Sequence, residues 1–391
     1  MILSKDQQKA YDQIMYWIVK KTQPYWRLTG SAGTGKSILI DYIIQNIDSC
    51  NYLLATLTWK AALVLKAKGL NANSIHSTFY ELDEAGMSGL KFRKKQSVGS
   101  SDKYDLIVID EASMVNIGMR EDILSFGIPV LFVGDPQQLP CIEEDGSTND
   151  DFLLEAESRL TQIHRQALDS PIIRMSVDIV QGRFIKYGKY GDGVLKLHNK
   201  DVSDNLLLMA DQILCAKNDT RRELNNHIRK LKGIPVTDSP HIGEQLIFTK
   251  NYKDSNLYNG TIVEVSEPSR TFNIDRSLFN NFFVTHYDTK LNKINLAIKG
   301  YFPNVSKFTD LIEKEPNPRR KFALQLAMLE RISGKEVDFA YALTVHKFQG
   351  SQAEKVCVFF EYMQGMDKDM KKRWLYTAVT RAERKLILVE N

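Results

Sequence analysis

Eight residues from Gly30 to Ser37, GSAGTGKS, could do phosphate chemistry. Glycines let the backbone wrap close to anionic oxygens, amide N–H groups and a following helix N-terminus point at them, and Lys36 supplies a point charge while the Ser37 hydroxyl suits magnesium. The pattern G-x-x-x-x-G-K-[ST] should arise by chance in on the order of 1% of chains this long. An ordinary glycine turn is therefore set aside. A nucleoside triphosphate is expected, cradled by Gly30, Gly33, Thr34, Gly35, Lys36 and Ser37.

Phosphoryl transfer also needs one carboxylate for the metal and another to orient water. VIDEAS (Val108 to Ser113) offers both at the end of an apolar run, with Asp110 in the metal's coordination shell and Glu111 on the attacking water. A bare acidic pair is usually a solvated loop, but one that ends a buried strand is far less common. Further on, another apolar run ends in GDPQQLP (Gly134 to Pro140), where Gln138 suits a sensor of the terminal phosphate. Open parallel sheets bind ligands at the carboxyl ends of their strands, so Lys36, Asp110 and Gln138 are expected to converge on one crevice. Cations must meet the developing charge, and Arg165 in LTQIHRQ and Arg381 in YTAVTRAERK are the candidates, although an isolated arginine is ordinarily surface solvation. The acidic run Glu143 to Asp145 reads as a solvated loop, which argues against a nuclease.

These side chains need a scaffold, and the chain supplies short β-rich runs between helical stretches: YWRLT (Tyr25 to Thr29), NYLLAT (Asn51 to Thr56), DLIVID (Asp105 to Asp110) and VLFVG (Val130 to Gly134). The loop leads into ILIDYIIQNI, whose apolar residues fall at helical spacing. Continuous apolar strands alternating with helices predict an α/β fold with parallel sheets covered on both faces. A second set, LLLMADQILCA (Leu206 to Ala216), FAYALTVHKFQG (Phe339 to Gly350), KVCVFF and KLILVE, predicts a second such domain. Between them GEQLIFTKN, YNGTIVEV and FFVTHYD read as short antiparallel strands with a turn at Asn259-Gly260, hence a small inserted β-barrel. The expected division is a first domain over 1–205 with an excursion at 81–104, a second over 206–242 and 339–391, and an insertion with a helical extension over 243–338. EKEPNPRRK (Glu313 to Lys321) reads as an exposed connector.

Bulk composition sets the bounds. At 391 residues, 43% hydrophobic and 26% charged, the chain can build several cores and is not a disordered type. A net charge of +4 tolerates a polyanion without identifying one. Cys50, Cys141, Cys215 and Cys357 form no C-x-x-C pair, so neither zinc nor a disulfide framework is expected and a reducing cytoplasm fits. The start, MILSKDQQKAYDQI, reads as an amphipathic helix rather than a signal, and no apolar run approaches the ~18 residues of a membrane span.

Taken in order along the chain, these motifs resemble those of superfamily 1 B-type DNA helicases of the Dda-like and RecD-like group. The resemblance spans nearly the whole chain. LSKDQQKAY resembles the Q motif; GSAGTGKS, DEAS and GDPQQLP resemble motifs I, II and III; IHRQ, ALTVHKFQGSQ and YTAVTRAER resemble motifs IV, V and VI. It implies two RecA-like domains that sandwich ATP with Mg2+, with Gln7 reading adenine, Gly350 at the nucleotide, Gln138 as sensor, and Arg165 and Arg381 as arginine fingers. It also implies 5′ to 3′ movement on single-stranded DNA and unwinding of duplex and forked DNA.

TLTWKAA (Thr56 to Ala62) is similar to motif Ia and NSIHSTF (Asn73 to Phe79) to motif Ib, which puts Thr58, His76 and Ser77 on the strand, joined by Thr344 and His346 of motif V. Small hydroxyl donors and backbone amides grip phosphates without reading sequence, as a motor requires. Outside the motif, His346 would read as a satisfied buried histidine. The excursion at 81–104 lies where the family places its strand-splitting pin; Phe92 in LKFRKKQ either stacks on a base at the fork or anchors the hairpin, and stacking on an aromatic is worth about 1–3 kcal/mol for any base. Its four neighbouring cations between Lys91 and Lys95 read as solvated surface unless DNA covers them. The chain departs from the family's pattern at Leu57, where motif Ia carries proline, at Gln352, where RecD-like members carry a ribose-contacting glutamate, and in the weakly patterned insertion. Two rivals stand beside a helicase: a translocase or RNA-directed ATPase that separates no strands, and a nucleotide-sensing switch. Glu111, the two arginines and the lack of a suitably placed N-K-x-D element disfavour the switch. A monomer in the cytoplasm of a bacterium or phage-infected host is expected, working with single-strand-binding, replication, recombination or repair proteins.

Overall fold

The computed structural model describes residues 2–47, 50–58, 61–62, 65–66, 69–83, 91–98, 104–141, 143, 147–148, 151–235, 240–249, 260–266, 270–273, 285–291, 294–302, 315–321 and 337–390. The chain forms two compact units, Met1–Val202 with Val345–Asn391, and Ser203–Thr344.

In the first unit, helix α1 (Lys5–Lys20) starts at a capping box in which Ser4 accepts the Gln7 N–H and the Gln7 side chain accepts the Ser4 N–H. Ala10, Ile14 and Trp17 recur at helical spacing and are buried. Strands β1 (Tyr25–Gly30), β2 (Tyr52–Thr56), β3 (Ala72–Ser74), β4 (Tyr80–Asp83), β5 (Lys91–Lys94), β6 (Leu106–Asp110), β7 (Val130–Gly134) and β8 (Ser158–Leu160) follow. Six of them make one parallel sheet in the order β3-β2-β6-β7-β1-β8.

Alternation along β6 explains its unbroken apolar run. Leu106 and Val108 join one core with Leu28, Leu54, Leu131 and Val133, under α1 and helix α2 (Lys36–Asn46). Ile107 and Ile109 join the other with Leu53, Ala55, Val130 and Phe132. Both faces are dry, so no polar position interrupts the strand until Asp110 at its end. The expected parallel α/β architecture is the observed one.

The pair β4 and β5 is an antiparallel hairpin with Leu82 opposite Phe92, which gives the excursion its backbone; residues 84–90 and 99–103 of that excursion lie outside the described residues. The first unit also holds the strands Ala353–Phe360, Ala382–Glu390 and Val194–His198, side by side and parallel, with Gly188–Gly191 antiparallel at Val194–His198.

In the second unit, Gln212–Cys215 pairs in parallel with Ala342–Thr344. Leu206 to Met209, expected as strand, belong instead to helix Asp204–Met209, because the Ser203 hydroxyl accepts the Leu206 N–H and caps a helix there. Two three-stranded antiparallel sheets follow, one of Ile262–Glu264, Gln245–Phe248 and Val337–Phe339, the other of Arg270–Asn273, Thr285–Leu291 and Ile294–Phe302. The described residues of GEQLIFTKN, YNGTIVEV and FFVTHYD thus contribute antiparallel strands. Asn259 of the expected turn and most of the expected helical extension fall outside the described residues. The guanidinium of Arg229, fully buried, meets Glu244 at 2.9 and 3.2 Å and stands 4.2 Å from the Phe339 ring. All four cysteines are free thiols. Among the described residues no helix is long and apolar enough to cross a membrane.

Candidate functional site

The loop after β1 depends on two glycines. Gly33 and Gly35 have φ of +81° and +80°, and a Cβ at Gly35 would stand 2.5 Å from Gln7 Nε2 and 3.0 Å from His164 Nε2, while one at Gly33 would meet Ala167 Cβ at 2.8 Å. Left-handed backbone and close packing both demand glycine there. Gly35 then caps α2 and releases Lys36 and Ser37 into its first turn. The Lys36 ammonium donates to Gly30 O at 2.5 Å and Ser31 O at 3.2 Å, so the charge is curled over the loop. Thr34 is buried and its hydroxyl closes the loop on Ser31 O at 2.8 Å.

At the end of β6, the Asp110 carboxylate accepts the Glu111 N–H at 2.9 Å. Glu111 itself sits at φ 57°, ψ 43°, in the left-handed region. A side chain there costs of order 1–3 kcal/mol, and such strain collects at functional positions. After β7, Asp135 is 1% exposed; burial pushes its carboxyl up, while the Lys36 charge and hydrogen bonds from the Tyr376 hydroxyl and the Gln137 amide pull it back. Gln138 is 7% exposed and its buried Oε1 has no hydrogen-bond partner among the described residues. A buried amide oxygen left unpaired is costly unless something polar reaches it.

Arg381, 4% exposed, follows the helix Lys368–Val379 and is held by Thr377 O at 3.0 Å, Ser351 O at 3.3 Å and Thr380 Oγ1 at 3.2 Å. One cavity of about 500 Å³ gathers these groups: Gly33, Gly35, Lys36 and Ser37 from the loop, Asp110 and Glu111 after β6, Gln138 after β7, and Gly350 and Arg381 from the C-terminal segment. That volume is in the range of small-molecule sites. Residues expected to converge from remote parts of the sequence therefore share one crevice.

Other expected residues sit elsewhere. Gln7 is 2% exposed and does not line the cavity; its Oε1 closes the α1 capping box and its Nε2 reaches the loop carbonyls of Thr34 and Gly35 at 3.5 and 3.4 Å. Its amide is turned onto the protein's own backbone, which differs from the expectation that it faces a base. Arg165 opens the short helix Arg165–Leu168, and its side chain is outside the described set, as is that of Phe92 in β5. Thr58 Oγ1 accepts the Ala61 N–H at 3.2 Å, and a Cβ on Gly350, itself at φ +69°, would stand 2.9 Å from that hydroxyl. His76 and Ser77 are half-buried on the helix Ile75–Phe79, with Ser77 Oγ donating to Ser74 O at 2.9 Å. Thr344 ends a strand of the second unit at 7% exposed, whereas His346 belongs to the first unit, and burial lowers its imidazole pKa.

Four contributors escaped the sequence reading. The Tyr376 hydroxyl donates to Asp135 Oδ2 at 2.6 Å and accepts the Ala32 N–H at 2.7 Å. Thr377 Oγ1 accepts the Leu139 N–H at 2.8 Å, and Gln349 Nε2 donates to Leu139 O at 3.0 Å. Asp135, Tyr376 and Thr377 lie inside GDPQQLP and YTAVTRAER, but the Tyr376–Asp135 and Thr377–Leu139 bonds span 241 and 238 residues and carry no local signal.

A family model described as an AAA domain matches residues 2–194, and one described as the UvrD-like helicase C-terminal domain matches 339–389. The chain is 24% identical to the ATP-dependent DNA helicase dda of Enterobacteria phage T4, covering 97% of each. It is 25% identical to the ATP-dependent RecD2 DNA helicase of Deinococcus radiodurans over 91% of its own length, and spans 45% of that protein. Among solved structures it is similar to the Pif1 helicase from Bacteroides in complex with ADP-AlF3 and single-stranded DNA, with a TM-score of 0.53 and 18% identity over 99% of this chain and 92% of the other. That likeness gives the same fold.

Proposed function

We infer that this chain is a superfamily 1 B-type helicase of the Dda-like and RecD-like group, an ATP-dependent DNA helicase that moves 5′ to 3′ on single-stranded DNA and unwinds duplex DNA. The observation that carries the reading is the shared cavity, where a phosphate loop, two carboxylates, a buried glutamine with an unpaired oxygen and an arginine face one another. Relatives named ATP-dependent DNA helicases, one of them matched end to end, support the substrate.

In this reading Lys36 and the loop amides bind the triphosphate. Ser37 and Asp110 are hard oxygen donors lining the same cavity, and they fit Mg2+, which takes few protein ligands and completes its shell with phosphate and water. Bound there, the ion would neutralise charge on the phosphate oxygens. Glu111 orients the attacking water, Gln138 offers its unpaired oxygen to that water or its side-chain amide to the terminal phosphate, and Arg381 with Arg165 meets the charge that develops. Thr58, His76, Ser77, Thr344 and His346 are assigned to the strand, and Phe92 to the fork. The two RecA-like domains are assigned to 1–205 and to 206–242 with 339–391, with an insertion at 243–338. A monomer acting on forked DNA in the cytoplasm completes the proposal.

The test is ATP-dependent strand separation on duplexes carrying a 5′ or a 3′ single-stranded tail, with Lys36→Ala as control. Unwinding from the 5′ tail alone, abolished in Lys36→Ala, is expected. ATP hydrolysis stimulated by single strands with no unwinding from either tail would mean a translocase instead.

A further inference from the structure

We propose that Tyr376 is a positioning residue for ATP hydrolysis, tying the phosphate loop to the turn that presents Gln138; this deepens the helicase reading and rests on it. Tyr376 is 1% exposed, and a buried phenol requires partners for its hydroxyl. Its partners are not structural neighbours in sequence. The hydroxyl accepts from Ala32, within the phosphate loop, and donates to Asp135, at distances of 2.7 and 2.6 Å.

Asp135 in turn shapes the turn. One carboxylate oxygen accepts the Tyr376 O–H, the other accepts the Gln137 N–H at 2.9 Å, and the Asp135 carbonyl accepts the Gln138 N–H at 3.1 Å. On the far side of Gln138, Leu139 is fixed by Thr377 Oγ1 and by Gln349. Successive residues of one helix, Tyr376 and Thr377, thus grip the turn on both sides of Gln138. The same Thr377 accepts at its carbonyl from Arg381 Nε. Gln138 Oε1 has no hydrogen-bond partner among the described residues, and the bonds to its neighbours fix the backbone that carries it. A rigid support behind a catalytic amide is worth its full effect only when that amide is used.

Tyr376→Phe keeps the ring and removes both links. Steady-state ATPase with saturating single-stranded DNA should show kcat reduced by about tenfold and KM for ATP changed by less than about threefold, with the protein still folded at the assay temperature although the lost hydrogen bonds lower its melting temperature. Introduced into Gln138→Ala, the same change should add less than about twofold, because the support then has nothing to support. Asp135→Asn, which weakens the other end of the link, should lower kcat alike and be non-additive with Tyr376→Phe. A Tyr376→Phe protein with unchanged kcat would overturn the inference, as would an equal further loss in the Gln138→Ala background. Failure of the helicase reading looks different: the wild-type chain would then unwind neither tailed duplex, whether or not it hydrolyses ATP.

Discussion

At the scale of single residues, Glu111 combines a carboxylate at a strand end with a left-handed backbone that no glycine relieves. The strain is tolerated because β6 and the short turn Ala112–Met114 fix both sides, and Ala112 is buried against β7. Glu111 lines the same cavity as Lys36. Glu111→Gln retains shape and loses the charge that would orient water. It should lower the ATPase kcat by about 10²–10⁴-fold while nucleotide binding, followed by titration of a fluorescent ATP analogue, stays within about threefold. Equal loss of binding and turnover would assign Glu111 to the loop's architecture instead. The residue types behind this expectation were legible in the sequence because the motif is local: strand, carboxylate pair and turn are contiguous. The strain was not, since φ depends on how the following turn packs.

At the scale of elements, the second unit contains a device that no motif announced. Helix Asn218–Leu231 buries Arg229, whose partner Glu244 lies just ahead of the strand Gln245–Phe248, and Phe339 covers the guanidinium. Glu244 also accepts the His241 N–H at 2.8 Å and the Tyr341 hydroxyl at 3.3 Å, so its lone pairs are used. Removing one partner of such a pair leaves a buried charge without its counter-ion. Glu244→Ala should destabilise by about 3–5 kcal/mol, read as a lowered urea midpoint in far-UV circular dichroism, whereas the volume-matched swap of both partners to apolar residues should cost much less. A Glu244→Ala midpoint equal to wild type would show the pair to be dispensable. Charged residues in sequence look alike whether they end up solvated or enclosed; only the packing of the helix against the small sheet separates them.

For the whole molecule, strand separation must be distinguishable from hydrolysis. The β4–β5 hairpin carries Phe92 opposite Leu82 and follows the helix Ile75–Phe79, where Lys95 Nζ holds the carbonyls of Ser77 and Thr78 at 2.7 and 2.8 Å. If Phe92 stacks on a base at the fork, Phe92→Ala should reduce unwinding of a 5′-tailed duplex by about tenfold, in line with the worth of a base stack. ATPase stimulated by single strands should remain within about twofold. Unwinding at the wild-type rate would leave Phe92 as an anchor of the hairpin.

What the sequence determined by itself was the parallel α/β class and the crevice at its strand ends. Those follow from apolar periodicity and from motifs whose parts are adjacent, such as GSAGTGKS, VIDEAS and GDPQQLP, so that Lys36, Asp110, Glu111, Gln138 and Arg381 could be named before any contact was known. Tertiary structure alone decided which way Gln7 turns, that Asp135 and Tyr376 join the phosphate loop to the Gln138 turn, and that Arg229 is enclosed by Glu244. The physical reason is that a hydrogen bond is chosen by distance and burial in three dimensions, and a polar side chain carries no mark in sequence of a partner hundreds of residues away.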